Sequence, residues 1–207
     1  LVADRVTGAA KPTERAAALA LQLLHRYGVI TRDVAAAEGI PGGFSAVYDV
    51  LRAMEEAGRI RRGYFASGVA ATQFAMPAAL DTLRSLKSEP AEMEVVRLAA
   101  ADPANPYGTL LKWPGGRAEP GRGPSRSVGA HVILINGSAA AWIGRGRQLL
   151  VWLPEDEPQR SAFAEAIASR LAADVALVDE INGAPAEEHA LYAYLARAGS
   201  AMRRFRG

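Results

Sequence analysis

Phe44-Ser45-Ala46-Val47-Tyr48-Asp49-Val50-Leu51-Arg52-Ala53-Met54-Glu55-Glu56-Ala57-Gly58, followed at once by Arg59-Ile60-Arg61-Arg62-Gly63-Tyr64-Phe65, is the stretch on which the fold turns. In its first part Phe44, Val47, Leu51 and Met54 recur three and four apart, which places them on one stripe of a helix. The other stripe carries Ser45, Tyr48, Asp49, Arg52, Glu55 and Glu56. Gly58 ends the helix. The run from Arg59 is strand-like, and Thr72-Gln73-Phe74-Ala75-Met76 reads as its return partner across a Gly-containing loop.

Working back toward the start, two further helices are predicted. Pro12 suits a first helical turn and Glu14 the positive end of the dipole, while Leu19, Leu23, Leu24 and Tyr27 recur at helical spacing up to Gly28. Val29-Ile30 is a short apolar bridge. Thr31 then caps a second helix to about Glu38, and Gly39 to Gly43 form a turn. Downstream, Pro77 opens a helix through about Leu86. Three helices and an arginine-loaded hairpin, in that order, make a winged helix-turn-helix. In such a fold the third helix faces a duplex and the hairpin reaches phosphates or the minor groove. The DNA-binding candidates are therefore Ser45, Tyr48 and Arg52 on the helix, with Arg59, Arg61, Arg62 and Tyr64 on the hairpin. Guanidinium suits this work because its planar fork pairs with phosphate oxygens. Asp49, Glu55 and Glu56 oppose it.

The second half has a different texture. Val95-Val96-Arg97-Leu98 is strand-like, and three apolar runs follow at His131–Ile135, Ala139–Ile143 and Gln148–Leu153. Asn136-Gly137 joins the first two, a strong hairpin signal. A helix is expected over Gln159–Ala173, a strand over Val175–Val178, a turn at Ile181-Asn182-Gly183 and a helix over Pro185–Ala198. The tail Met202–Arg206 reads as a last strand. Residues 114–127, rich in Gly, Pro, Arg and Ser, are predicted to be a flexible loop whose Arg117, Arg122 and Arg126 could trail along phosphates. Trp113, at its edge, is a candidate for stacking on a base, whereas Trp142 and Trp152 read as core. The expectation is an α+β chain: an N-terminal extension (1–11), a winged-helix domain (12–90), and a mixed β-barrel-like domain with packed helices (91–207).

Composition narrows the chemistry. The 207 residues hold 24 Lys and Arg against 22 Asp and Glu, a net charge of +2, so a polyanion partner must be argued from where the arginines sit. With no cysteine, disulfides, thiolate nucleophiles and Cys-type zinc sites are excluded. His25, His131 and His189 lack metal-ligand spacing, so neither a metal nor a cofactor is expected. No apolar run approaches the length that spans a bilayer, and no signal-peptide pattern opens the chain. A cytoplasmic segment of a longer protein is the expectation. Asp102, Asn105 and Tyr107 are the best polar candidates for catalysis; the competing reading is a Pro-stiffened turn with Asp102 accepting backbone hydrogen bonds.

Two phrases add a resemblance. Arg61-Arg62-Gly63-Tyr64-Phe65, continuing through Gln73-Phe74-Ala75-Met76-Pro77, and Ala101-Asp102-Pro103-Ala104-Asn105-Pro106-Tyr107-Gly108 resemble the C-terminal region of the bacterial Lhr (large helicase-related) proteins. The likeness covers roughly residues 12 to 200. It implies a DNA-engaging module of an ATP-dependent DNA helicase acting in repair, with single-stranded or duplex DNA and the rest of the parent chain as partners. No Gly-x-x-x-x-Gly-Lys-Ser/Thr loop is present, so ATP and Mg are expected only in motor domains outside this chain. More distantly the region resembles AlkZ-type winged-helix DNA glycosylases, which share a Gln-apolar-Asp/Gln triplet. The near match here, Gln73-Phe74-Ala75, lacks the third polar group, and no catalysis is carried onto it. A glycosylase fragment and a self-associating winged-helix module remain the alternative readings.

Overall fold

The computed structural model describes residues 11–69, 72–88, 90, 92–115, 123–145, 147–172 and 178–205, with side chains through 199. The extension 1–10, Arg117, Arg122, Arg206 and most of the expected strand at 175–178 lie outside the described residues. The chain divides into two compact units, with the boundary between Ser88 and Glu89.

In the first unit the helices run α1 (Pro12–Tyr27), α2 (Arg32–Ala37), α3 (Ser45–Glu56) and α4 (Pro77–Ser85). Each begins and ends within a few residues of where caps and periodicity put it. Thr31 closes the start of α2, its hydroxyl oxygen accepting from the Val34 amide at 3.3 Å. Three short strands, β1 (Val29–Ile30), β2 (Arg61–Gly63) and β3 (Gln73–Ala75), form an antiparallel sheet with β3 in the centre. Leu23, Leu24, Val47, Leu51, Ile60 and Phe74 are buried and make the core. A Phe74-sized side chain taken fully out of water stabilises by roughly 1.5–3 kcal/mol. Pairing with β3 fixes the first arm of the hairpin: Arg62 stands opposite Phe74 in the register, and Arg61 opposite Ala75.

The second unit carries β4 (Val95–Ala99), β5 (His131–Ile135), β6 (Ser138–Ile143), β7 (Gln148–Val151), β8 (Glu180–Ile181) and β9 (Ala184–Pro185) in one six-stranded sheet, in chain order. Strands β4 to β7 form an antiparallel meander. Helix α5 (Glu157–Leu171) then crosses over, and β8 pairs parallel with β7. Side chains alternate across β5. Ile133 and Ile135 face a core with Ile167, Leu171, Leu191 and Leu195 of the helices, while Val132 and Leu134 face the opposite side. Asn136 and Gly137 both take positive φ (48° and 79°), the conformation a two-residue hairpin needs.

Two expectations change here, and a third is not met among the described residues. The sheet is mixed and carries helices, but no pairing among the described residues closes it into a barrel. The helix expected from Pro185 starts instead at Leu191, because Pro185 belongs to β9, opposite Glu180, and a 3₁₀ turn (Ala186–Glu188) follows. His189 then acts as a cap, its Nδ1 accepting from the Leu191 amide at 3.1 Å. The tail is no strand: α6 runs from Leu191 to Phe205. Its apolar positions Leu191 and Leu195 repeat at four, a helical period that strand alternation cannot satisfy.

Candidate nucleic-acid interface

The hairpin of the first unit presents a cationic edge whose residues differ in how free they are. Arg59, Arg61 and Tyr64 are exposed, and among the described residues neither arginine has a carboxylate partner. Arg62 is different: its Nε lies 3.3 Å from Glu55 Oε2, which ties the hairpin to α3. On α3 itself Arg52 Nε bonds Glu56 Oε1 at 3.1 Å, an i,i+4 pair in solvent. Such exposed pairs contribute only a few tenths of a kcal/mol and can be exchanged for a phosphate. Ser45 is exposed at the start of α3.

Tyr48, expected to face outward, is half-buried. Its ring packs at 5.7 Å from Phe44 and 6.0 Å from Phe74, edge-on to the latter. It lies one turn from both Phe44 and Leu51, so it borders the apolar stripe and joins the core margin instead of the solvent face.

The loop that follows Tyr64 is held by a residue whose role sequence reading missed. Gln73 is fully buried, and its Oε1 accepts from the amides of Phe65 (2.8 Å) and Ala66 (2.9 Å). Its Nε2 donates to the Ala66 carbonyl at 2.7 Å. One amide side chain thus replaces strand ladder bonds where β2 ends. The available signal was a polar residue beside the buried Phe74 in a strand next to a loop, because a buried amide must find partners.

The polar candidates of the second unit take part in the hydrogen bonds of their own loop. Asp102 Oδ1 accepts from the Ala104 amide at 2.8 Å. Asn105, buried, donates to the Ala100 carbonyl (2.8 Å) and accepts from the Tyr107 amide (3.1 Å). The Tyr107 hydroxyl accepts from the Ala139 amide at 3.1 Å. Trp113, expected at the edge of a free loop, is partly buried and packs near-parallel to Tyr107 at 5.7 Å and Trp152 at 6.4 Å. Gly108 permits this, since a Cβ there would lie 2.6 Å from Trp113 Nε1. Arg126 does not trail in solvent either. Its guanidinium donates to the carbonyls of Asn105 (2.6 Å), Asp102 (3.0 Å), Tyr107 (3.2 Å) and Ala101 (3.3 Å), binding one loop to another. Trp142 donates to the Ser125 carbonyl at 3.0 Å from within the core, as a core reading of that residue requires. Among the described residues no three His, Asp or Glu side chains gather as a metal would need, and no helix is long and apolar enough to cross a membrane.

A helix-turn-helix with a three-stranded sheet and a cation-edged hairpin defines a winged-helix module, here joined to a mixed-sheet unit. Residues 9–95 match the family described as large helicase-related protein, winged-helix domain. The chain is 41% identical over 184 residues, 84% of its length, to a Mycolicibacterium smegmatis protein named Lhr helicase/probable uracil glycosylase. It is 36% identical over 195 residues, 90% of its length, to an Escherichia coli K12 protein named Lhr helicase/uracil glycosylase. Residues 9–95 are an Lhr winged-helix domain, and most of the chain is similar to a segment of these Lhr proteins. The chain spans 12% of the length of each of these relatives.

Proposed function

We propose that the chain is a DNA-binding module of an Lhr-type ATP-dependent helicase acting in repair, held to DNA chiefly through phosphates by its wing. The observation that carries this reading is the pair Arg59 and Arg61, exposed and without a carboxylate partner among the described residues, beside a strand fixed by pairing to β3. A guanidinium in that state gives up little to meet a phosphate, whereas Arg52 and Arg62 must first leave Glu56 and Glu55. ATP and Mg belong to motor domains elsewhere in the parent protein. The uracil glycosylase in the relatives' names is not assigned to Asp102, Asn105 or Tyr107: one Asp102 oxygen, the Asn105 amide and the Tyr107 hydroxyl oxygen take part in hydrogen bonds that shape this loop.

The test is anisotropy of labelled duplex and single-stranded DNA against the full chain and its Arg59→Ala/Arg61→Ala variant. The variant is expected to bind several-fold more weakly with an unchanged circular dichroism spectrum. Equal affinity would overturn the reading.

A further inference from the structure

We infer that the wing takes an unpaired base, with Tyr64 stacking on its face, while α3 stays out of the groove. This rests on the DNA-binding reading above and adds to it a substrate class: single strands and frayed ends in preference to continuous duplex.

Helix α3 is a poor groove reader. Its charged residues are Asp49, Glu55 and Glu56 against the lone Arg52. That arginine already bonds Glu56, and Arg62 of the wing already bonds Glu55. Seating α3 in a major groove would bring exposed Asp49 and Glu56 between two rows of phosphates, where each is repelled. Tyr48, which could have read a base edge, is packed on Phe74.

The wing has the opposite character. Tyr64 is 66% exposed, and among the described residues it has no ring contact and no hydrogen bond. Its neighbour Phe65 instead lays its ring over Gly63, so close that a Cβ on that glycine would sit 2.7 Å from Cε1. The backbone just after Tyr64 is pinned by the three Gln73 hydrogen bonds. An aromatic ring is thus offered to solvent on a fixed mount, with Arg59 and Arg61 close by in sequence to follow a phosphate backbone. Cations for the backbone and a flat ring for the base are the two parts of a single-strand site. A continuous duplex cannot use the second part, because both faces of every internal base are already stacked.

The experiment compares a fluorescein-labelled single strand with a blunt duplex of the same length, binding to the full chain and to Tyr64→Ala, Tyr64→Leu and Tyr64→Phe. Because Tyr64 is exposed, these variants should keep the parent's circular dichroism spectrum. Removing one base–aromatic stack is expected to weaken single-strand binding about tenfold in the Ala and Leu variants and to leave the duplex nearly unchanged, with Phe restoring parental affinity. Equal weakening on both ligands, or failure of Phe to restore binding, would overturn the inference. If the Tyr64 variants bind the single strand like the parent while Arg59→Ala/Arg61→Ala does not, stacking is refuted and the phosphate-binding wing survives. If neither set weakens binding, the wing is not the DNA contact, and the wing-based reading above falls together with the inference.

Discussion

Replacing Gln73 with Ala removes one buried side chain and strands three backbone groups: the amides of Phe65 and Ala66 and the carbonyl of Ala66. Each intramolecular hydrogen bond of this kind is worth about 1 kcal/mol net, and a buried group left without a partner costs about 1–3 kcal/mol. The loop has an escape that a core residue lacks. It can peel off β3 and hydrate its amides, so the loss is set by the cheaper of two outcomes and comes to about 3 kcal/mol. The effect is therefore expected to be local. Hydrogen exchange at Phe65 and Ala66 should accelerate by roughly a hundredfold, while amides of α1 and α3 change little. Exchange followed by NMR on the full chain reads both sets at once. Unchanged protection at Phe65 and Ala66 would refute the claim that Gln73 holds the wing, and so would uniform loss across the unit.

Three other expectations follow from single contacts. Arg126→Ala, which frees four carbonyls of the 101–107 loop, should destabilise the second unit by about 2 kcal/mol in urea, and Arg126→Lys should recover little because an ammonium cannot reproduce the fork; full recovery by Lys would show that charge alone matters. Thr31→Ala should cost about 1 kcal/mol through loss of the α2 cap, with Thr31→Ser near parental, and an equal loss in both would point to the methyl group instead. Tyr27 donates its hydroxyl to Glu38, and that bond, with burial and the Glu38 charge adding to it, raises its pKa above the ordinary 10.0. Its folded value being the higher one, the contribution is complete below pH 10.0 and disappears as pH climbs through the raised value. Tyr27→Phe should erase that alkaline component of the stability profile, and superimposable profiles above pH 10.0 would contradict it.

Much of the fold could be read from local chemistry. Thr31, Pro12, Pro77 and Asn136-Gly137 act through their own backbone or a neighbour's, so sequence reveals them directly. The stripe Val47, Leu51 and Met54 is buried for the same reason. Several of the misreadings share a cause: the deciding partner lies far along the chain. Arg126 sits in a Gly- and Pro-rich run that reads as mobile, yet its acceptors lie more than a dozen residues upstream. Trp113 borders that run but stacks on Trp152. Gln73 reads in sequence as one residue of a return strand, whereas the backbone groups it holds sit across the hairpin. At the candidate site, the set of arginines was visible in sequence. Which of them are held by carboxylates is legible only in part: Arg52 and Glu56 stand at i,i+4 spacing on one helix, whereas Glu55 reaches Arg62 only once helix and wing are folded together.

Salt titration of DNA binding tests the central claim most directly. Each phosphate contact contributes about 0.9 to the slope of log K against log salt on duplex and about 0.7 on a single strand. If Arg59 and Arg61 each hold a phosphate, the Arg59→Ala/Arg61→Ala chain should show a slope shallower by about 1.4–1.8. A slope identical to the parent's would place the polyanion contact somewhere other than the wing.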